Sequence, residues 1–135
     1  MDGSNINYLA VLVAALSTFL LGGLWYSPLL FGKAWMRANN FDETDLQTFS
    51  KGRMFGWSFV FSVVMAVNLA MFLAGPGTNV MWGMTAGALA GFGWVALAIA
   101  IIGVFENRSW AYILINGGYM TVAFVVMGAI IGAWR

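Results

Sequence analysis

Four long apolar stretches, Ile6–Tyr26, Met54–Leu73, Val80–Val104 and Trp110–Trp134, dominate the pattern of the chain. Each runs for 20 to 25 residues without a charged side chain. A helix of about 20 residues crosses the ~30 Å hydrocarbon core of a bilayer. In lipid the backbone must satisfy its own hydrogen bonds, so each stretch is expected to be a spanning helix. The strict alternation of a membrane β-barrel strand is absent. The pattern therefore predicts an all-α fold, an integral membrane four-helix bundle forming a single transmembrane domain over residues 1–135. The third and fourth stretches exceed the minimum length and are expected to tilt. The first does not read as a cleaved signal: the flank Met1-Asp2-Gly3-Ser4-Asn5 carries no basic side chain, and the apolar run is too long.

The polar interruptions are short except one. Between helices 1 and 2 lies Ser27–Arg53, a cytoplasmic interfacial segment on this reading. It opens on Trp25-Tyr26-Ser27-Pro28, where Pro28 lacks a donor and biases Ser27 away from helix. In Leu29–Arg37, Lys33 and Arg37 stand four apart on one helical face, with Phe31, Trp35 and Met36 as the apolar side. That predicts a short helix lying on the inner leaflet. Asn39-Asn40 marks a turn. Thr44-Asp45-Leu46-Gln47 has the form of a capping box, predicting a helix that starts there and leads into the second span. Asp42, Glu43 and Asp45 would then lie near a helix N-terminus, where the dipole favours them. The link Ala74–Asn79 is uncharged and tight, so spans two and three are expected to form a helical hairpin.

Composition sharpens the picture. Hydrophobic residues make up 61% and charged residues 8% of the chain, against about 25% charged in soluble domains. A soluble globule, a disordered chain and a nucleic-acid binder are excluded on that ground. Orientation follows from the basic residues. Lys33, Arg37, Lys51, Arg53 and Arg108 fall on one side and Arg135 on the other, which places the first group in the cytoplasm and both termini outside. Trp35, Trp57 and Trp110 fall at the inner interface, Trp82 and Trp134 at the outer one, and Trp94 near mid-span.

The chain has no Cys and no His. Disulfides, Cys/His zinc sites and the commonest general base are therefore absent. The carboxylates Asp2, Asp42, Glu43, Asp45 and Glu106 all lie outside the apolar stretches. A small proton-coupled antiporter is disfavoured, because such proteins usually need an acid or His within the membrane. Glu106-Asn107-Arg108 reads as a hydrated, self-paired turn. The sequon Asn107-Arg108-Ser109 is discarded because it falls on the cytoplasmic side. No catalytic, metal or cofactor-binding residue is assigned, and no cofactor is expected.

What remains are packing and polar positions. Gly83, Gly87 and Gly91 recur at intervals of four in the third span, and Gly128 and Gly132 in the fourth. Such stripes let helices approach closely, either inside the bundle or between chains. Asn68 and Asn116 are the costliest polar residues inside the spans and are expected to bond neighbouring helices.

Asn7-Tyr8-Leu9-Ala10-Val11-Leu12-Val13-Ala14 and Leu24-Trp25-Tyr26-Ser27-Pro28-Leu29-Leu30-Phe31-Gly32-Lys33-Ala34-Trp35 resemble the opening of the small bacterial membrane proteins of domain of unknown function 1761. The closing strings Ile115-Asn116-Gly117-Gly118-Tyr119 and Met127-Gly128-Ala129-Ile130-Ile131-Gly132-Ala133-Trp134 resemble its last helix. The resemblance implies four helices in a bacterial inner membrane and carries no activity. Members of that family often have a His after the last-helix Gly-Tyr, where this chain has Met120, so any role of that His is missing here.

The leading expectation is a small non-enzymatic multi-pass protein acting through helix–helix association, as a homo-oligomer or an accessory subunit of a larger membrane complex. The alternative is a small oligomeric channel or transporter for a neutral or lipophilic solute, lined by Asn68, Asn116 and the span hydroxyls. A membrane enzyme using Glu106, Tyr119 or the acidic loop ranks last. The bilayer is the one expected partner common to all three.

Overall fold

The structure, a computed structural model, describes residues 6–134. The flank Met1–Asn5, with Asp2, and Arg135, expected on the outer side, lie outside the described residues. Helices follow in the order α1 (Tyr8–Trp25), α2 (Gly32–Asn39), α3 (Glu43–Thr48), α4 (Lys51–Phe72), α5 (Val80–Ala90), a π-helical turn (Gly91–Ala96), α6 (Leu97–Phe105) and α7 (Trp110–Ala133). No strand occurs among the described residues. Four helical segments are long and apolar enough to span a membrane: Tyr8–Trp25, Lys51–Phe72, Val80–Phe105 and Trp110–Ala133.

Each span begins on a side-chain cap, which explains where it starts. Asn7 accepts from the backbone N–H of Leu9 and Ala10, Ser50 from Arg53, Asn79 from Trp82 and Ser109 from Tyr112. These oxygens satisfy N–H groups that no intrahelical carbonyl can reach. The short helices depart from expectation in three ways. α2 starts at Gly32 rather than Leu29. The capping box is Asp42 with Asp45, not Thr44 with Gln47, so α3 starts earlier than expected. An aspartate at the third helical position closes the box as a glutamate would. Finally, α3 does not run into the second span, because Phe49 is extended (φ −72°, ψ 136°) and Ser50 starts α4 afresh.

The packing order is also not the chain order. The main interhelical contacts join α5 to α7, α1 to α7 and α1 to α4. Spans two and three share a short link, and Phe72 and Trp82 meet beside it with centroids 6.3 Å apart. The close partner of α5 is nevertheless α7, so the expected hairpin pairing is not the dominant one. The glycines explain why. A Cβ at Gly83 would run into the Gly128 carbonyl, one at Gly87 into the Phe124 carbonyl, and one at Gly128 into the Gly83 carbonyl. At Gly132 it would meet the Asn79 oxygen at 2.5 Å, and at Gly91 the Phe124 Cβ at 2.8 Å. The two stripes therefore face each other inside one chain and bring α5 and α7 backbone to backbone.

The core lies at the end where Asn7 donates to the Trp134 carbonyl, which holds the termini of the described residues. Ala14 and Ala15 of α1, Ala66, Leu69 and Leu73 near the end of α4, Ala86, and Phe124 and Met127 of α7 form one buried cluster. At the opposite end α4 is barely held. From Lys51 to Phe61 every residue except Phe59 is exposed. Phe19 is its main anchor there, with ring centroids 5.7 Å from Phe55 and 6.3 Å from Phe59. A gap opens between α4 and the Val80–Phe105 span, with α7 behind it.

Candidate functional site

The turn after α1 is built by close backbone approach. Leu30 and Gly32 both donate to the Ser27 carbonyl, at 3.1 and 2.9 Å, and Phe31 donates to Trp25 O at 3.0 Å. The Ser27 hydroxyl donates back to Leu24 O at 2.6 Å. A Cβ on Gly32 would lie 2.6 Å from both Ser27 C and Tyr26 O, so only glycine fits there. Pro28 thus sits in a turn that other groups hold closed.

Three hydrogen bonds fasten this turn and the end of α1 to α7. Trp25 Nε1 donates to Ile115 O at 2.9 Å, the Tyr26 hydroxyl to Asn116 Oδ1 at 2.6 Å, and the Tyr119 hydroxyl to Thr18 O at 2.9 Å. Asn116 therefore bonds another segment, as a polar residue in a span must. Asn68 does not: its amide has no hydrogen-bond partner among the described residues.

Aromatic rings continue the connection out to α3. Tyr119 meets Tyr26, Tyr26 meets Trp35, Trp35 meets Phe41 and Phe41 meets Phe49, with centroids 5.4, 5.5, 5.4 and 5.3 Å apart. All four pairs are edge-to-face. Each such pair adds about 0.5–1.5 kcal/mol beyond its buried area. Trp35, expected as an interfacial anchor, is a middle link of this series. Lys33 and Arg37 stay exposed on the other side of α2, the shared face that their spacing predicted.

These elements enclose an open cavity of about 1310 Å³ at the end of the bundle opposite the termini. Arg53, Met54, Trp57, Ser58 and Phe61 of α4 form one wall. Tyr112, Asn116, Tyr119 and Met120 of α7 form the back, with Ile99 of α6 beside them. Trp35, Asn39, Phe41 and Phe49 close it from below. Arg53 is the one charged residue of the lining. The one ion pair among the described residues, Arg108 Nε to Glu106 Oε1 at 3.4 Å, lies elsewhere. A second cavity of about 780 Å³ continues the gap towards the termini. Asn68 and Met65 of α4 face Gly93, Trp94 and Val95 of the π-helical turn across it, and Phe124 closes its back. Asn68 is the one side chain in that lining with a hydrogen-bonding amide; the rest are apolar.

The structure thus brings together Trp25, Tyr26, Ser27, Pro28 and Trp35 with Asn116 at one end, and the five stripe glycines along α5 and α7. Asn68 stands apart from both. Sequence reasoning missed Arg53 as a cavity cation, Gly32 as a steric requirement, and the π-helical turn. It ranked Tyr119 only as part of an unlikely enzyme. The spacing of Asn116 and Tyr119, three apart on one face of α7, was the available signal. Among the described residues no group of three or more acidic, Cys or His side chains is gathered as a metal site.

The geometry defines a class: a four-span, all-α membrane protein with a polar-to-apolar gap on one side and a short helical lid at one end. Residues 9–132 match the family model described as protein of unknown function (DUF1761), and the chain belongs to that family. No curated protein and no solved structure matches it.

Proposed function

We propose that this multi-pass membrane protein is non-enzymatic and binds a lipophilic solute in the gap between α4 and the Val80–Phe105 span. The carrying observation is that gap. A helix half exposed on nearly all sides faces two successive cavities, one polar and aromatic, the other apolar. Concave, largely apolar space with a few converging polar groups is the usual form of a small-molecule site. Binding is tested by titrating the purified full chain with lipophiles and following the fluorescence of its Trp residues, three of which, Trp35, Trp57 and Trp94, line the gap. Saturable quenching by a lipid-soluble quencher, relieved by a competing lipophile, is the expected result. Quenching that only tracks the detergent-to-protein ratio sinks the reading.

A second reading is association, as a homo-oligomer or an accessory subunit of a membrane complex. Its support is now the outer face of the third span, the least buried of the four at 17%, rather than the glycine stripes. The chains that co-purify in mild detergent decide it. The setting we propose is a bacterial inner membrane with both termini outside, from the five basic residues on the α2–α3 side. A reporter fused after Arg135 should be active only in the periplasm.

A further inference from the structure

The two cavities belong to one path. Phe61, Ile99 and Met120 line the first, and Met65, Val95 and Phe124 the second. Each residue of the second set lies four positions from its counterpart on the same span, about one helical turn or ~6 Å. Polarity changes in one direction along this path. At the lid end stand Arg53, the Asn39 and Asn116 amides and six hydroxyl-bearing side chains, Ser58 and Tyr112 among them. The far end carries no charge. Arg53 has no carboxylate within ion-pair distance among the described residues. From Arg53 to Met65 the path follows α4 for twelve residues, or ~18 Å.

We infer that the gap seats one anionic glycerophospholipid taken sideways from the bilayer, with its phosphate at Arg53 and acyl chain running past Met65 to the π-helical turn. This rests on the proposed reading of the gap as a solute site. The guanidinium of Arg53 holds the phosphate through paired N–H donors, and its unpaired charge favours an anionic head over a zwitterionic one, whose ammonium offsets the phosphate. Its position at the cytoplasmic end of a span is the level at which lipid phosphates lie. The first cavity, about 1310 Å³, exceeds the ~300–1,000 Å³ of ordinary small-molecule sites. Space of that size with an apolar extension suits a two-chain lipid better than a compact solute. Gly93 permits the far end: a Cβ there meets nothing within 4 Å.

The test uses the full chain in a non-ionic detergent, with bound lipid counted by native mass spectrometry. Phosphatidylglycerol, phosphatidylcholine and palmitate are added separately. The wild type is expected to retain phosphatidylglycerol at least tenfold better than phosphatidylcholine, and palmitate more weakly than either. R53Q should abolish the head-group preference and R53K should restore most of it. K51Q, which removes a neighbouring exposed charge outside the lining, should leave it intact. G93L fills the far cavity without a backbone clash and should weaken both phospholipids severalfold while keeping their ratio. Equal losses from R53Q and K51Q would mean diffuse surface charge and overturn the assignment. So would palmitate outcompeting both phospholipids. Saturable binding of a neutral long-chain alcohol with no phospholipid retained would overturn this inference and leave the proposed function standing. Retention of none of these ligands would remove both.

Discussion

The Tyr26 hydroxyl lies 2.6 Å from Asn116 Oδ1, across 90 positions of sequence. Tyr26 follows the last residue of α1, and Asn116 sits in the second turn of α7. With Trp25 on Ile115 O and Tyr119 on Thr18 O, it fixes α1 to α7 at the lid end. Nothing comparable holds α4 there, where Phe19 meets Phe55 and Phe59 only through ring edges. The gap is thus a consequence of which pairs are bonded: α1, α7 and α5 are drawn together, and α4 is left to stand off.

Tyr26→Phe should therefore destabilise the fold by about 1–3 kcal/mol, because it leaves the Asn116 carbonyl oxygen half-buried and unpaired. Asn116→Leu alone should cost a similar amount. The double variant should cost less than the sum, since both singles break one bond. Thermal unfolding in a single detergent measures all three. Strict additivity would show that the two groups do not depend on each other.

Gly87→Leu should abolish the folded monomer rather than dissolve an assembly. The Phe124 carbonyl occupies the space a Cβ at Gly87 would need, and backbone cannot move aside as a flexible side chain can. Overpacking typically costs about 1–3 kcal/mol and more where backbone is displaced. Gly93→Ala, two positions beyond Gly91 in the same span, is the control, since open space surrounds it. Size-exclusion profiles and melting curves should show loss of fold for the first and near wild-type behaviour for the second. A folded but dissociated Gly87→Leu protein would place the stripe between chains.

The four spans were legible because lipid leaves the backbone few options. Twenty uncharged residues have to be helix, and the observed ends differ from the expected ones by only a few positions. The stripes were legible as close-packing positions, but not their partner. Periodicity shows that Gly83 and Gly128 need a near backbone, not that each is the other's neighbour. The π-helical turn left no trace in hydropathy, since one extra residue in a turn changes no apolar count. The site was partly legible. Trp25, Tyr26 and Asn116 stood out as unusual residues. Arg53 looked like one more inner-side charge, because its place beside a cavity depends on α4 standing away from α5 and α6.

Gly32→Ala should be more damaging than Pro28→Ala, although proline is the residue that sequence rules single out. The turn is closed by Ser27 O, which accepts from Leu30 and Gly32, and by Trp25 O, which accepts from Phe31. None of these bonds uses Pro28. An alanine at position 32 would press its Cβ to 2.6 Å from Tyr26 O. It should open the turn, lower the melting temperature and change the labelling of Lys33 on the adjoining helix. Pro28→Ala should do little beyond releasing unfolded-state entropy, about 0.4–1 kcal/mol. Equal labelling patterns for the two variants would mean that the proline sets the turn after all.

Thr18→Val should stabilise the protein. The side chain is 1% exposed, and its Oγ1 has no hydrogen-bond partner. Other hydroxyls in the spans behave differently: those of Ser62, Thr85 and Thr121 each donate to the carbonyl four residues back, at 2.8 Å. Thr18 contributes through its carbonyl, which accepts from Tyr119, and that bond survives any side-chain change. Valine keeps the branched shape and removes a hydroxyl that lost its water on burial, so the gain should be about 1 kcal/mol or more. Thr121→Val, which gives up a bond already made, should be neutral or destabilising by comparison. Melting temperatures of the pair in one detergent provide the measurement. If Thr18→Val falls below Thr121→Val, the Thr18 hydroxyl has a partner in the membrane, and a buried water between α1 and α7 is the first to look for.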